Sequence, residues 1–292
     1  MKIIFSRKGI DSSFGNFASP IMPDGKLCWM PIPEDSDRKQ QLPTYGDISF
    51  CGTDLGTIIE DLSSKRIKRN QTVHLDPDIF AMHRARKEDW IPVFGQTGAA
   101  ESHLRNKKVE VGDIFLYFGW FKQCEIIDNT FRYKKAAPDM HVLYGWLQIG
   151  NIKRICDIES IPDWLTDHPH MIGCNYGILD TLYFSTNELV IAGKKTGLPG
   201  AGYFSAINDG IILTAPGHTR SVWNLPIWMY PSEDKPPLSY NEKREKWIKR
   251  DGKIQLKIAS RGQEFVLNVD FYPEALDWVE GLIRSEMEKN AH

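Results

Sequence analysis

Two long apolar segments, 113–121 (DIFLYFGWF) and 141–150 (HVLYGWLQIG), constrain the fold more than any other feature of the sequence. Both are rich in β-branched and aromatic residues, which favour strands. Their apolar residues occupy consecutive positions rather than alternate ones, so both faces of each strand need to be covered. We therefore expect these segments to be central strands of a buried sheet or barrel.

Shorter strand-like runs recur along the rest of the chain, each bounded by turn residues. Because strands outnumber helices and do not alternate regularly with them, the sequence predicts an α+β fold. The core should be a mostly antiparallel, strand-rich sheet or a barrel-like structure. The hairpin turn expected between the last two runs is 261–263 (RGQ). The runs are 1–5, 181–185, 188–193, 210–215, 254–259 and 264–269.

Three segments carry helix signals. Asp76 and Pro77 are typical of an N-cap and a first helical position, which predicts a helix beginning there. A second helix should begin near Ala99. The third is a C-terminal amphipathic helix in PEALDWVEGLIRSEMEKN. Its apolar residues recur at spacings of three and four and so form one face: Leu276, Val279, Leu282, Ile283 and Met287.

Composition is that of an ordinary globular protein, with 41% hydrophobic residues among 292. No Ser/Gly-rich linker interrupts the chain, which predicts a single compact domain over 1–292, with the Pro-rich, charged segment 231–246 as an exposed loop excursion. The net charge of −2 gives no global attraction to nucleic acid. Five widely spaced cysteines without a CxxC motif indicate reduced thiols, and no apolar run reaches about 18 residues. We expect a cytoplasmic protein that does not bind membranes.

The first strand ends in a dense polar loop, FSRKGIDSSFG, at residues 5–15. Two cations, Arg7 and Lys8, stand there beside Asp11, with serines and glycines around them. Such a loop suits a phosphate group or a metal-bound substrate. The alternative is a surface turn with an internal Arg–Asp pair.

A second candidate stretch is HLDPD, residues 74–78. If the backbone is extended, His74 and Asp76 fall on one face, as two ligands of one metal would. Asp78 could be a third ligand. The alternative assigns both aspartates to a helix start, where Asp76 caps and the helix dipole favours Asp78.

FGQTGAAESHL, residues 94–104, is the third stretch. Gly95 and Gly98 bracket a loop that leads into a helix N-terminus, where free amides can bind an anion. Gln96 lies within that loop, and His103 about one turn into the helix.

The remaining imidazoles of interest are His141, which opens an apolar strand, and the pair His168 and His170 in DHPH. The proline keeps the residue before it extended. The two side chains should therefore point the same way, as metal ligands would.

No nucleophile elbow, GxGxxG fingerprint or CxxC redox pair occurs in the sequence. A mixed histidine and carboxylate metal site is the chemistry that remains. Iron, manganese and zinc all accept such ligands, and a carboxylate-rich set favours iron or manganese. The candidate metal ligands are Asp11, His74, Asp76, Asp78, His103, His141, His168 and His170. The candidate substrate-binding residues are Ser6, Arg7, Lys8, Ser12, Gln96 and Gly98.

Several of these stretches, taken in order, resemble the third nucleotide-modification-associated domain family. They are FSRKGIDSSFG, ASPIMPDG with MPIP, HLDPD, FGQTGAAESHL and GDIFLYFGWF, and the resemblance covers roughly residues 1–225. It implies a role in modifying nucleotides or nucleic-acid bases. Carried over by motif, the site would be Asp11, His74, Asp76, Asp78 and His103, with Ser6, Arg7, Lys8 and Gln96 beside it.

Three functions are compatible with these sequence features. The first is a metal-dependent enzyme, iron being the first choice, that acts on a nucleotide or a nucleic-acid base, with partner modification proteins. The second is a non-catalytic reader resembling PUA-like barrels, which would stack a modified base on Trp120, Phe121 or Trp146. The third is a metal-assisted phosphohydrolase.

Overall fold

Eighteen strands and three α-helices occur in residues 1–34, 42–172, 180–260 and 262–290, the ranges that the computed structural model describes. The helices are α1 (Leu55–Leu62), α2 (Gly98–Asn106) and α3 (Glu274–Asn290). The strands are β1 (Lys2–Arg7), β2 (Ser19–Ile21), β3 (Ile32–Pro33), β4 (Ser49–Phe50), β5 (Thr53–Asp54), β6 (Val73–His74), β7 (Val93–Gln96), β8 (Ile114–Ile127), β9 (Thr130–Tyr133), β10 (Met140–Arg154), β11 (Thr181–Ser185), β12 (Glu188–Ile191), β13 (Lys194–Pro199), β14 (Ala201–Tyr203), β15 (Val222–Pro226), β16 (Trp247–Arg250), β17 (Lys253–Lys257) and β18 (Glu264–Asn268). The predicted α+β class is confirmed.

The two apolar segments form β8 and β10, which pair antiparallel at the centre of a nine-stranded sheet. The main strand order is β18-β1-β8-β10-β11-β7, and β1 runs parallel to β8. Residues 114–119 and 141–149 are all buried, so both faces of these strands are covered, as their composition predicts.

The two ends of this strand order approach each other. Gln96 on β7 donates a hydrogen bond from Nε2 to Oε1 of Glu264 on β18, at 2.6 Å. The sheet is therefore strongly curved, in agreement with a barrel-like core. Because β1 lies beside β18, the loop after β1 opens next to β7.

A smaller antiparallel sheet has the order β15-β17-β16. The predicted hairpin between the last two strand runs is wrong, because β17 belongs to this small sheet whereas β18 pairs with β1. The burial patterns explain the separation. β17 alternates buried and more exposed residues, which suits a sheet with one wet face, whereas residues 264–267 of β18 are all buried.

The run 210–215 forms isolated bridges rather than a regular strand. Ile212 bridges to Val142 on β10, and Thr214 bridges to Trp223 on β15. The segment therefore connects the large sheet to the small one.

Helices α2 and α3 occur where the sequence predicts them, with Ala275, Val279 and Ile283 of α3 fully buried. The predicted helix at Asp76 is wrong. Asp78 exchanges backbone hydrogen bonds with Val93, which keeps the chain extended there. Helix α1 was not expected. None of the helices in the described ranges has the length and apolar character needed to span a bilayer.

The segment 231–246 has two parts. Residues 232–234 are exposed, whereas Leu238, Ser239 and Asn241 are buried. Its second part packs on β18, where Ser239 Oγ accepts a hydrogen bond from the Val266 amide at 2.8 Å. The single compact domain stays a prediction.

Candidate metal centre

His74 ends the short strand β6, which pairs with β3 and so fixes the backbone at His74 opposite Ile32. Its Nδ1 atom lies 3.1 Å from Oε2 of Glu34. A carboxylate at this distance favours a proton on Nδ1 and leaves Nε2 as the free ligand atom.

Asp76 follows two residues later and is nearly fully buried, with 6% of its surface exposed. The Gly95 amide donates to its Oδ1 atom at 2.8 Å. The carboxylate that would cap a helix instead joins the HLDPD stretch to β7.

The DHPH stretch forms a short 3₁₀ turn, Pro169–Met171, that approaches the same carboxylate. Nε2 of His168 lies 3.5 Å from Oδ1 of Asp76, and Nε2 of His170 lies 3.6 Å from Oδ2. Arg84 donates to Asp167 at 2.5 Å and so anchors the start of the turn. A long-range ion pair therefore helps to bring two imidazoles to Asp76.

His74, Asp76 and His170 form a triad whose ligand atoms, one from each side chain, all lie within 4.8 Å of one another. Two imidazoles and one carboxylate are the donors that iron, manganese and zinc accept. Nε2 of the neighbouring His168 is buried and faces Oδ1 of Asp76 at 3.5 Å, without a closer hydrogen-bond partner among the described residues. The donor set of the triad fits a cation.

Electrostatics keep Asp76 ionised. Burial by itself would raise the pKa of this carboxyl, but His168 and His170 outweigh the burial and lower the pKa below its ordinary value. The carboxylate is therefore available as an anionic ligand.

The triad lies at the wall of a cavity of about 180 Å³, whose other side is the loop after β1. Arg7, Lys8 and Asp11 line it together with Gln96. Asp11 holds the loop in shape, because its Oδ1 atom accepts from the amides of Ser13 (2.7 Å) and Phe14 (3.0 Å).

A buried polar network centres on Glu264, beneath this loop. Its Oε1 atom accepts from Ser6 Oγ at 3.1 Å and from Gln96, and lies 3.1 Å from Nζ of Lys8. Three residues predicted to bind substrate thus converge on one buried carboxylate.

A second cavity, of about 430 Å³, adjoins the first and shares Arg7, Lys8 and Asp11 with it. His141 lines this second cavity, and its neutral ring has one N–H group that can donate a hydrogen bond. The indole N–H of Trp223 donates to Nδ1 of His141 at 3.0 Å, which leaves the ring proton on Nε2. Burial, with the charges of Arg7 and Arg220, holds the pKa of His141 well below its ordinary value.

A family model described as nucleotide modification associated domain 3 matches residues 2–268. The chain belongs to that family. The family match confirms the resemblance found in the sequence and extends it beyond residue 225, through β18 and Glu264. Membership associates the chain with nucleotide modification. Searches of the curated proteins and of the solved structures each found no significant match.

Other residues predicted as ligands in this family member lie outside the triad. Asp78 accepts two hydrogen bonds from Arg86, at 2.7 and 2.8 Å, and a third from Trp90 at 3.1 Å. Nε2 of His103 lies 3.0 Å from Oγ of Ser239. The triad also excludes Asp11, His141 and His168. Of the predicted substrate residues, Gly98 begins α2 and Ser12 accepts from Arg220 at 3.3 Å.

Sequence reasoning missed three residues of the site region: Glu34, Arg220 and Glu264. The sequence does contain an indication of Glu264, because a charged residue at the start of an otherwise apolar strand run is unusual. Glu34 and Arg220 lie in no motif, and only the folded chain places them beside His74 and Ser12.

Proposed function

We propose that this member of the nucleotide modification associated domain 3 family is a metal-dependent enzyme that modifies a nucleotide or a nucleic-acid base. The observation that carries the proposal is the His74–Asp76–His170 triad at the wall of a cavity. Iron is our first choice of metal, with manganese or zinc as alternatives. When bound, iron would supply oxidation by dioxygen, whereas zinc or manganese would supply activated water.

The roles of the surrounding residues follow from their contacts. The Gly95 amide and the His168 ring hold Asp76, and Glu34 orients His74. Arg7 faces the cavity without an acidic side chain within 4 Å among the described residues, so it would bind the substrate phosphate. Lys8 is already paired with Glu264, and we assign it a structural role in supporting the loop after β1.

A metal-assisted phosphohydrolase is the second candidate, because the adjoining cavity is strongly cationic. The reader hypothesis loses support from the proposed stacking residues. Phe121 and Trp146 are buried, and the guanidinium of Arg220 covers the Trp120 ring at 3.8 Å. Phe121 and Trp146 therefore offer a base no exposed ring, and one face of Trp120 is already covered.

Metal analysis of protein purified without added metal or chelator tests the triad. We expect about one equivalent of a transition metal in the wild type, and a loss of most of it in His74→Ala and His170→Ala. His103→Ala is the matched control, because it removes an imidazole outside the triad. Circular dichroism of each variant establishes that the chain still folds. A wild-type content below about a tenth of an equivalent, with no binding of added Fe²⁺, Mn²⁺ or Zn²⁺ by calorimetry, would overturn the proposal.

Product analysis then separates the candidate reactions. The metal-loaded protein is incubated with oligonucleotides and with nucleoside monophosphates, and products are read by mass spectrometry. A mass gain on the base that requires dioxygen supports the iron enzyme. Release of inorganic phosphate that tolerates anaerobic conditions supports the phosphohydrolase.

A further inference from the structure

The larger cavity next to the metal centre is lined by an excess of positive charge. Five basic side chains face it: Arg7, Lys8, Arg220, Lys246 and Lys257. Asp11 is the acid in its lining, and two loop amides already occupy one oxygen of that carboxylate. The chain as a whole has a net charge of −2, so this concentration of cations is local.

Four of the five cations have no counter-ion among the residues that the structure describes. Lys8 is paired with Glu264, whereas Arg7, Arg220, Lys246 and Lys257 have no carboxylate within 4 Å. The Nε atom of Arg7 is buried without a hydrogen-bond partner. Leaving the buried Nε donor of Arg7 unsatisfied costs free energy, which an anion in the cavity would offset, whereas Lys257 is exposed and adds positive potential at the cavity.

Arg220 is held ready for such an anion. Its guanidinium lies over the Trp120 ring at 3.8 Å and donates to Ser12 Oγ at 3.3 Å. Trp120 in turn donates to Asp139 at 2.8 Å, which fixes the ring. A guanidinium fixed in this way keeps other N–H groups free for bidentate recognition of phosphate.

We propose that this cationic cavity is a phosphate subsite that binds the nucleotide substrate, so that the attached base or sugar reaches the triad across Arg7 and Asp11. The two cavities share those residues, and a volume of about 430 Å³ is sufficient for a nucleotide-sized group. This inference deepens the proposed function and rests on it for the reaction, although phosphate binding itself requires no metal.

Fluorescence anisotropy with fluorescein-labelled dT8 as the probe tests the subsite. Arg220→Gln and Lys257→Gln should each weaken binding at least about fivefold. Each should also reduce the slope of log affinity against log salt by about 0.7, because one phosphate fewer is neutralised. Arg250→Gln is the matched control, since this exposed arginine of β16 lies outside the cavity. It should change the affinity less than about twofold.

Competition with thymidine 5′-monophosphate, inorganic phosphate and thymidine identifies the chemistry that is recognised. Competition by the monophosphate but not by thymidine supports the subsite and indicates a free nucleotide. Binding of dT8 that the monophosphate does not displace also supports it and indicates a nucleic-acid strand. If thymidine competes as well as its monophosphate, or if none of the probes binds the wild type at about 1 mM, the proposal is overturned.

The phosphate subsite and the metal centre can be disproved independently of each other. Binding of dT8 that survives EDTA and the His170→Ala exchange retains the subsite even if the triad binds no metal. A wild-type metal content in Arg220→Gln, together with dT8 affinity equal to that of Arg250→Gln, overturns the subsite and leaves the metal centre standing.

Discussion

The carboxylate of Asp76 lies 3.6 Å from Nε2 of His170 through one oxygen and accepts the Gly95 amide at 2.8 Å through the other. Gly95 also packs directly on the imidazole. A Cβ atom built on Gly95 would lie 2.2 Å from Cδ2 of His170 and 2.5 Å from Cγ. The position of His170 therefore depends on the missing side chain of Gly95.

Gly95→Ala should displace His170 and so weaken metal binding at least about tenfold, with a stability cost of about 1–3 kcal/mol from the overlap. Calorimetric titration with Fe²⁺ or Zn²⁺ and urea denaturation measure the two effects. Gly281→Ala in α3 is the control, because its Cβ meets no atom within 4 Å. That control should gain up to about 1 kcal/mol and bind metal normally. Unchanged metal affinity in Gly95→Ala would contradict the triad geometry.

Glu34→Gln should weaken metal binding by about 10–100-fold without unfolding the protein, because the carboxylate fixes the tautomer and the orientation of His74. Calorimetric titration with metal gives the ratio of the dissociation constants of the variant and the wild type. Glu110→Gln removes an exposed acid remote from His74 and serves as the comparison. Equal affinities of the two variants would show that Glu34 does not orient His74.

Lys8→Met should destabilise the fold by about 3–5 kcal/mol, since it leaves Glu264 buried without its counter-ion at 3.1 Å. The double variant Lys8→Met with Glu264→Gln should recover part of that loss. Urea denaturation of the two single variants and the double variant gives the coupling free energy. If the effects simply add, Lys8 is free to act on substrate and the support assigned to it is wrong.

Stability should depend on the ionisation of Glu101. Burial raises the pKa of this carboxyl to about 7, although hydrogen bonds from Tyr183 and Thr181 oppose the shift. A raised pKa in the folded state stabilises the fold fully below the unfolded pKa near 4.5, and the benefit is lost as pH rises toward 7. Glu101→Gln should therefore become more stable relative to wild type between pH 4.5 and 8, by about 2–3 kcal/mol. Denaturation curves across that range test it, and a constant difference would refute it.

Asp78→Asn should lower stability by about 3–5 kcal/mol through loss of the buried bidentate pair with Arg86, while the metal content stays at the wild-type value. Urea denaturation and metal analysis of the same preparation provide both readings. Metal loss without a stability loss would assign Asp78 to the metal centre instead.

Continuous apolar runs made the central strands predictable, because residues 114–119 of β8 and 141–149 of β10 are covered on both faces. Local sequence patterns gave wrong predictions where residues distant in the sequence provide the hydrogen-bond partners. Asp76 and Pro77 are typical of a helix start. In the fold, however, the Gly95 amide donates to the Asp76 carboxylate, and the backbone of Asp78 is hydrogen-bonded to that of Val93. No local pattern contains those partners.

The triad residues were all among the eight predicted ligands, but the sequence could not select them. His141 and His170 are the same residue type, but in the fold the Trp223 indole donates to Nδ1 of His141, whereas Nε2 of His170 faces Asp76. The separation of two residues along an extended chain predicted that the side chains of His74 and Asp76 lie near each other, and their ligand atoms do lie within 4.8 Å. Their binding of one metal stays a prediction. The approach of His170 depends on the long-range pair of Arg84 with Asp167.

The pairing of β1 with β18 has a consequence for biosynthesis. Lys2 lies opposite Asn268, so one edge of β1 has no neighbour until about 266 further residues have been synthesised. At about 5–20 residues per second, that delay is roughly 10–50 s. During that time Ile3, Ile4 and Phe5, which are buried in the fold, lack this partner strand, and chaperone binding would protect them from aggregation.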